Sequence, residues 1–343
     1  MTSLRIGFLE NHLSIRGSSV ALYDYAHYVE DLLHHKSYII TRPCFSDSSP
    51  DFDTKVYDKF SKRFEMLYFT SWLDNPPEMR RQIQALIDTH HLDVLVVLKS
   101  GYAKDGLYGF TNVLTIIVAV FDTREPHGDL FVTVSDWNNE LHGTNVPVLP
   151  HIVEELPFTT ETLRSRLQIP EDALVFGRIG GLYEFDDENV QQAILEVVNR
   201  RPNTYALLVN TKWDPLHPHI IHLPSTTDKN FKSVFVNSCD AMIYGRRLGE
   251  TFGLAIAEFS MKNKPIFGMN TGRDKHHLRV LGDRSYFCST KKELINAMMT
   301  FDAKEVRKGQ WNAYAVFTPQ RVMQTFSEMI QSKLNATSCD KKK

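Results

Sequence analysis

Cysteine is scarce. Cys44, Cys239, Cys288 and Cys339 are far apart, with no Cys-x-x-Cys pair among them, which argues against a zinc knuckle or a disulfide framework and fits thiols kept reduced in a cytoplasmic protein. An excess of charge of one sign is also missing. A net charge of -2 gives no field to hold a phosphate backbone, so nucleic acid is not expected as a partner. The one basic run, Lys341, Lys342 and Lys343, reads as a solvated tail. Long hydrophobic runs are absent too. The longest, residues 113–121, is interrupted by Thr115 and is far short of a membrane span, which leaves only peripheral membrane contact open. The N-terminal residues run straight into a strand-like segment, so no signal peptide is expected. There is no Gly-x-Ser-x-Gly, no Walker loop and no complete Gly-x-Gly-x-x-Gly, which counts against a hydrolase, an NTPase or a dehydrogenase.

The remainder is ordinary globular composition, 42% apolar and 23% charged in 343 residues. That length suits two domains of roughly 150 residues each, with a cleft between them. Strand-like and helix-like segments alternate, the pattern of parallel sheets covered by helices. In the first half, strands are expected at residues 5–9, 38–40, 93–99 and 114–121, with a last one at 131–137. Helices are expected at 18–33, with a serine cap, and at 77–89, with proline in its first turn. Residues 145–157, "NVPVLPHIVEELP", break the pattern and mark a linker. The alternation then restarts, with strands at 173–180, 205–210, 241–245 and 264–270. Helices are expected at 187–199, 229–237, 291–300 and 319–334. No repeat of solenoid period is present.

One stretch does not read as a plain helix. "RRLGETFGLAIAEFS", residues 246–260, is apolar from Phe252 to Phe259 yet carries Glu250 before a glycine and Glu258 after it. A helix starting at Phe252 or Gly253 points its unpaired N–H groups and the positive end of its dipole forward, and Gly253 lets an anion come close. A diphosphate is the obvious occupant. Glu258, more than a turn into the helix, can accept two hydrogen bonds from a ribose diol, while Glu250 reaches the group on the far side of the phosphates.

Glu250 and Glu258, with seven residues between them within "GETFGLAIAEFSMKNKPIF", resemble the E-x7-E motif of retaining GT-B glycosyltransferases, family 4 in particular. The similarity extends through "MNTGRDKHHLRVLGD", residues 269–283, to "GRIGG", residues 177–181, and more loosely to the loop at Gly17. The resemblance implies an α/β GT-B fold, two doubly wound Rossmann-like domains facing across a cleft. Residues 1–152 would form the acceptor side and 153–302 the nucleotide-sugar donor side, with the helices of 303–343 crossing back to the first domain. It implies transfer of a sugar, with retention, from a nucleoside-diphosphate sugar to a carbohydrate or glycan hydroxyl. No metal or other cofactor would be required.

By the same resemblance Glu258 would bind the ribose and Glu250 the transferred sugar. Gly253 and Leu254 would offer N–H groups to the diphosphate, with Thr251 and Phe252 beside them. Arg178 would neutralise the leaving group, and Gly17 would approach from the other domain. The chain departs from the family in two places. Tyr183 stands where a second cation is usual, leaving Lys212, Arg246 or Arg247 to supply it, and Val118 stands where relatives carry histidine, with His127 the nearest replacement. A nucleotide-sugar epimerase and a non-catalytic binding protein are the alternatives. "DFD", residues 51–53, lacks the buried strand of a metal-binding motif. His217, His219 and His222 lack a nearby carboxylate or cysteine and read as strand and loop histidines.

Overall fold

The computed structural model describes residues 3–43, 54–71, 75–306 and 308–340; residues 51–53 lie outside them. The chain forms two compact units, Met1–Ile152 with Phe317–Lys343, and Val153–Val316.

In the first unit, β1 (Arg5–Leu9), β2 (Lys36–Thr41), β3 (Glu65–Tyr68), β4 (Val94–Lys99), β5 (Leu114–Ala119) and β6 (Leu130–Thr133) form one sheet. Their order is β3-β2-β1-β4-β5-β6, every pair parallel. Strand β1 pairs on both sides, Ile6 opposite Ser37 and Val94. A strand buried on both faces must be apolar throughout, which is why "VLVVL" runs unbroken in β4. Helices α1 (Gly17–Asp31), α2 (Thr54–Ser61) and α3 (Pro76–His90) connect strands, and α4 (Asp136–His142) follows β6. Asn75 caps α3 by accepting from the Glu78 N–H, with proline in the first turn and His91 left-handed at its end, the start and stop chemistry expected of such a helix.

The second unit repeats the plan. Strands β7 (Leu174–Ile179), β8 (Thr204–Val209), β9 (Ile220–Leu223), β10 (Ala241–Ile243), β12 (Ile266–Met269) and β14 (Tyr286–Cys288) form a parallel sheet ordered β14-β12-β10-β7-β8-β9. A two-residue pair, β11 (Gly249–Glu250) with β13 (Asp274–Lys275), stands apart from it. The helices are α5 (Glu188–Arg200), α6 (Lys229–Ser238), α7 (Leu254–Met261), α8 (His276–Leu281), α9 (Lys291–Thr300) and α10 (Ala303–Val306). Phe176, Ile194, Val197, Leu208, Phe267 and Leu294 pack in its core. Helix α11 (Pro319–Asp340) belongs to the first unit, where Phe326 stacks on Tyr25 of α1 with centroids 6.4 Å apart.

The α/β doubly wound architecture is the one expected from the alternation. Helices α2, α4 and α10 were not expected, and other details differ. Helix α1 begins at Gly17 after Arg16 and has no side-chain cap, so no serine caps it and Gly17 is helical rather than part of a loop. The hydroxyl of Ser19 serves Glu10 instead, donating to its carboxylate at 2.7 Å. The strand expected at 131–137 ends at Thr133, because the next turn opens α4 behind Ser135. The edge strands β3, β9 and β14 were not expected; they are three or four residues long and carry only partly buried side chains at most positions, so they lack the continuous apolar run that marks an interior strand.

Candidate functional site

In the second sheet the connections reverse direction between β7 and β10, and ligands of open parallel sheets bind at the carboxyl ends of such a pair. The first side chain there is Arg178, near the end of β7. It is buried, and its guanidinium donates to the carbonyls of Asn210 and Gly181, each at 2.8 Å, and to Thr211 Oγ1 at 2.7 Å. These bonds tie the ends of β7 and β8 together. Burial pulls its pKa down to about 10, against the opposing pull of Glu184 and Glu250. Arg178 is therefore a braced positive charge rather than a side chain that swings onto a ligand.

Beyond β10 the chain supplies Tyr244, Arg246 and Glu250. Arg246 bridges two carboxylates, Glu250 at 3.0 Å and Glu184 at 3.1 Å, and the Tyr244 hydroxyl donates to Glu250 at 3.4 Å. Burial pushes Glu250 up to about 7 despite the guanidinium beside it, and Glu184 adds to the rise. Desolvation outweighs the ion pair here, as happens when a carboxylate loses water on most sides. His277, whose ring is 5.1 Å from that of Tyr244, is driven down to about 3 by burial and stays neutral. The backbone of Glu250 is held by the β11–β13 pair. Gly249 has φ +83, and a Cβ there would lie 1.9 Å from the Asp274 carbonyl.

Helix α7 starts at Leu254, rather than at Phe252 or Gly253 as the sequence suggested, with Gly253 as its N-cap at φ +91. Only glycine adopts that backbone without strain. Thr251 and Phe252 precede the helix and are buried. Phe252 is a packing residue, with its ring 5.6 Å from His276 and its carbonyl accepting from the Tyr314 hydroxyl. Glu258 lies one turn along α7 and pairs with Lys232 of α6 at 2.6 Å. Lys212 places its ammonium over the Tyr183 ring, 4.8 Å from the centroid. Arg178, Arg246, Glu250, Thr251, Phe252, Gly253, Leu254 and Glu258 thus gather around the β7–β10 switch and the start of α7, with Lys212 on the loop after β8. Sequence reasoning missed Glu184, Tyr244 and Lys232. Glu184, one residue beyond the position where the family has its cation, was the only one with a signal in the sequence.

Gly17 and His127 belong to the first unit. The Nδ1 of His127 lies 2.6 Å from the Glu125 carbonyl, and its Nε2 3.1 Å from Lys99 Nζ at the end of β4. Lys99 in turn pairs with Asp105. Nδ1 must therefore carry the proton, leaving Nε2 as acceptor, and burial lowers the imidazole pKa. Val118 is buried within β5. His219 stacks on Tyr205 with centroids 4.2 Å apart, and His222 does have a carboxylate nearby, Asp214 at 3.8 Å. Among the described residues, no three His, Cys, Asp or Glu side chains gather as a metal site, and no helix is long and apolar enough to cross a membrane.

Anabaena Alr3699/HepE, solved in complex with UDP-glucose, matches with TM-score 0.74 and 14% identity over 96% of this chain and 100% of that one. Sucrose-phosphate synthase from Thermosynechococcus elongatus matches with TM-score 0.72 and 12% identity over 97% and 100%. A glycosyltransferase from Rickettsia africae ESF-5 gives TM-score 0.71 and 14% identity over 97% and 99%. The fold is GT-B. No family model and no curated protein sequence matches the chain.

Proposed function

We propose that the chain is a retaining, family 4-like glycosyltransferase that moves a sugar from a nucleoside-diphosphate donor to a carbohydrate hydroxyl without a metal. One observation carries this reading: Glu250 and Glu258 flank the glycine-capped start of α7 at the switch point of the second sheet, where the helix dipole favours a diphosphate. Glu258 accepts the ribose hydroxyls and Glu250 those of the transferred sugar. Gly253 and Leu254 offer N–H groups to the diphosphate. Arg246 is the cation that turns to it, with Arg178 as a fixed charge behind, in the role the family gives to an arginine and lysine. The departing phosphate oxygen takes the acceptor's proton while these charges hold the leaving group. We assign the acceptor to residues 1–152, His127 included, and the reduced thiols of Cys239 and Cys288 suit a cytoplasmic enzyme.

The test is thermal stabilisation of the wild type and Glu258→Ala by UDP, GDP, ADP and their sugar conjugates. A ligand at about 100 times its Kd adds roughly 2.7 kcal/mol. One nucleotide should stabilise the wild type and fail with the variant; if none stabilises the wild type, the donor site is misassigned. Donor turnover with and without acceptor then separates transfer from epimerisation and from binding alone.

A further inference from the structure

We propose that Lys232 is the positioning residue of the ribose-binding carboxylate, and that the preference for a ribose over a deoxyribose donor depends on it. This rests on the donor-site reading of Glu258 given above. The two residues are on different helices, α6 and α7, with Nζ and Oε1 2.6 Å apart and each side chain only about one-sixth exposed, 15% and 16%. Lys232 extends from an anchored helix. One residue on, Ser233 donates to the Pro157 carbonyl, and at the start of α6 Lys229 pairs with Glu154.

A diol needs two acceptor sites in a fixed plane, and a glutamate on a helix surface otherwise samples several rotamers. The ammonium occupies one direction at Oε1, leaving Oε2 and the remaining lone pair of Oε1 for two hydroxyls. A side chain already held in its binding rotamer spares the ligand the cost of ordering it, a gain of about three- to tenfold in affinity. That gain exists only for a ligand that uses both acceptor sites.

The experiment measures the affinities of UDP, GDP and ADP, each beside its 2′-deoxy counterpart, for the whole chain and for Lys232→Met, Lys232→Arg and Glu258→Ala. Thermal midpoints report whether each variant is folded. In Lys232→Met the ribose preference should fall by about three- to tenfold, with binding of the 2′-deoxy nucleotide within about twofold of wild type and Lys232→Arg close to wild type. If Lys232→Met weakens both nucleotides equally, or changes neither, while Glu258→Ala abolishes the preference, the positioning role is wrong and the donor site stands. If the preference survives in Glu258→Ala, or the wild type shows none for any base, the donor-site reading fails and this proposal with it.

Discussion

Glu250 holds a proton more tightly than an ordinary carboxylate, with its pKa pushed up to about 7 by burial and by Glu184 against the pull of Arg246. In the proposed complex a diphosphate would take Arg246 away from it and add negative charge beside it, raising that pKa further. Binding would then take up a proton, so affinity for a nucleotide sugar should strengthen as pH falls from about 8 to 6. Titration calorimetry with UDP-glucose, whose own phosphates do not titrate in that window, is expected to show about three- to tenfold tighter binding at pH 6. The change should disappear in Glu250→Gln. A flat profile in the wild type would mean that Glu250 does not feel the donor. The spacing of Glu250, Gly253 and Glu258 was legible in the sequence because all three belong to one short segment. Glu184 and Lys232 reach the same place from distant segments, and nothing local in a sequence records that meeting.

Among the elements, β11 is only two residues long, yet it sets where Glu250 stands. Its geometry depends on Gly249, where positive φ and the nearby Asp274 carbonyl leave no room for a side chain. Gly249→Ala should therefore cost about 3 kcal/mol or more, from backbone strain together with the clash. Gly253→Ala, whose Cβ would have side-chain atoms of Glu250 at 3.4 Å and of Ile256 at 3.5 Å as its nearest neighbours, both ordinary contacts, should cost about 1–2 kcal/mol from strain alone. Denaturant titration would order the two; equal effects would mean that β11 gives way freely and does not hold Glu250. The longer helices and the interior strands were readable from their patterning, whereas the short α2, α4 and α10 were not, since capping residues and unbroken apolar runs are local properties that need some length to show. Neither the β11–β13 pair nor the edge strands β3, β9 and β14 could be read in that way, because pairing across the chain defines them. Arg178 shows the same limit: its place near a strand end was legible, whereas two of the acceptors that occupy its guanidinium, the Asn210 carbonyl and Thr211 Oγ1, come from the loop after β8.

At the scale of the whole molecule, a fold shared with proteins only 12–14% identical over nearly the full chain shows how little of the sequence the architecture requires, and why function has to be argued from the site. The second unit is continuous in sequence, Val153–Val316, with its own six-stranded sheet and core. Every residue we assign to the donor lies within it, apart from Gly17, which the sequence resemblance placed on the first domain. A fragment of residues 153–316 is therefore expected to fold alone and to bind the nucleoside diphosphate within about tenfold of the whole chain, while transferring no sugar. Binding by the fragment, with turnover restored only in the full chain, would separate donor recognition from acceptor chemistry. If the fragment folds, as shown by a cooperative thermal transition, but binds a hundredfold or more weaker, the donor contacts must include the first unit, and Gly17 at the start of α1 becomes the first residue to substitute.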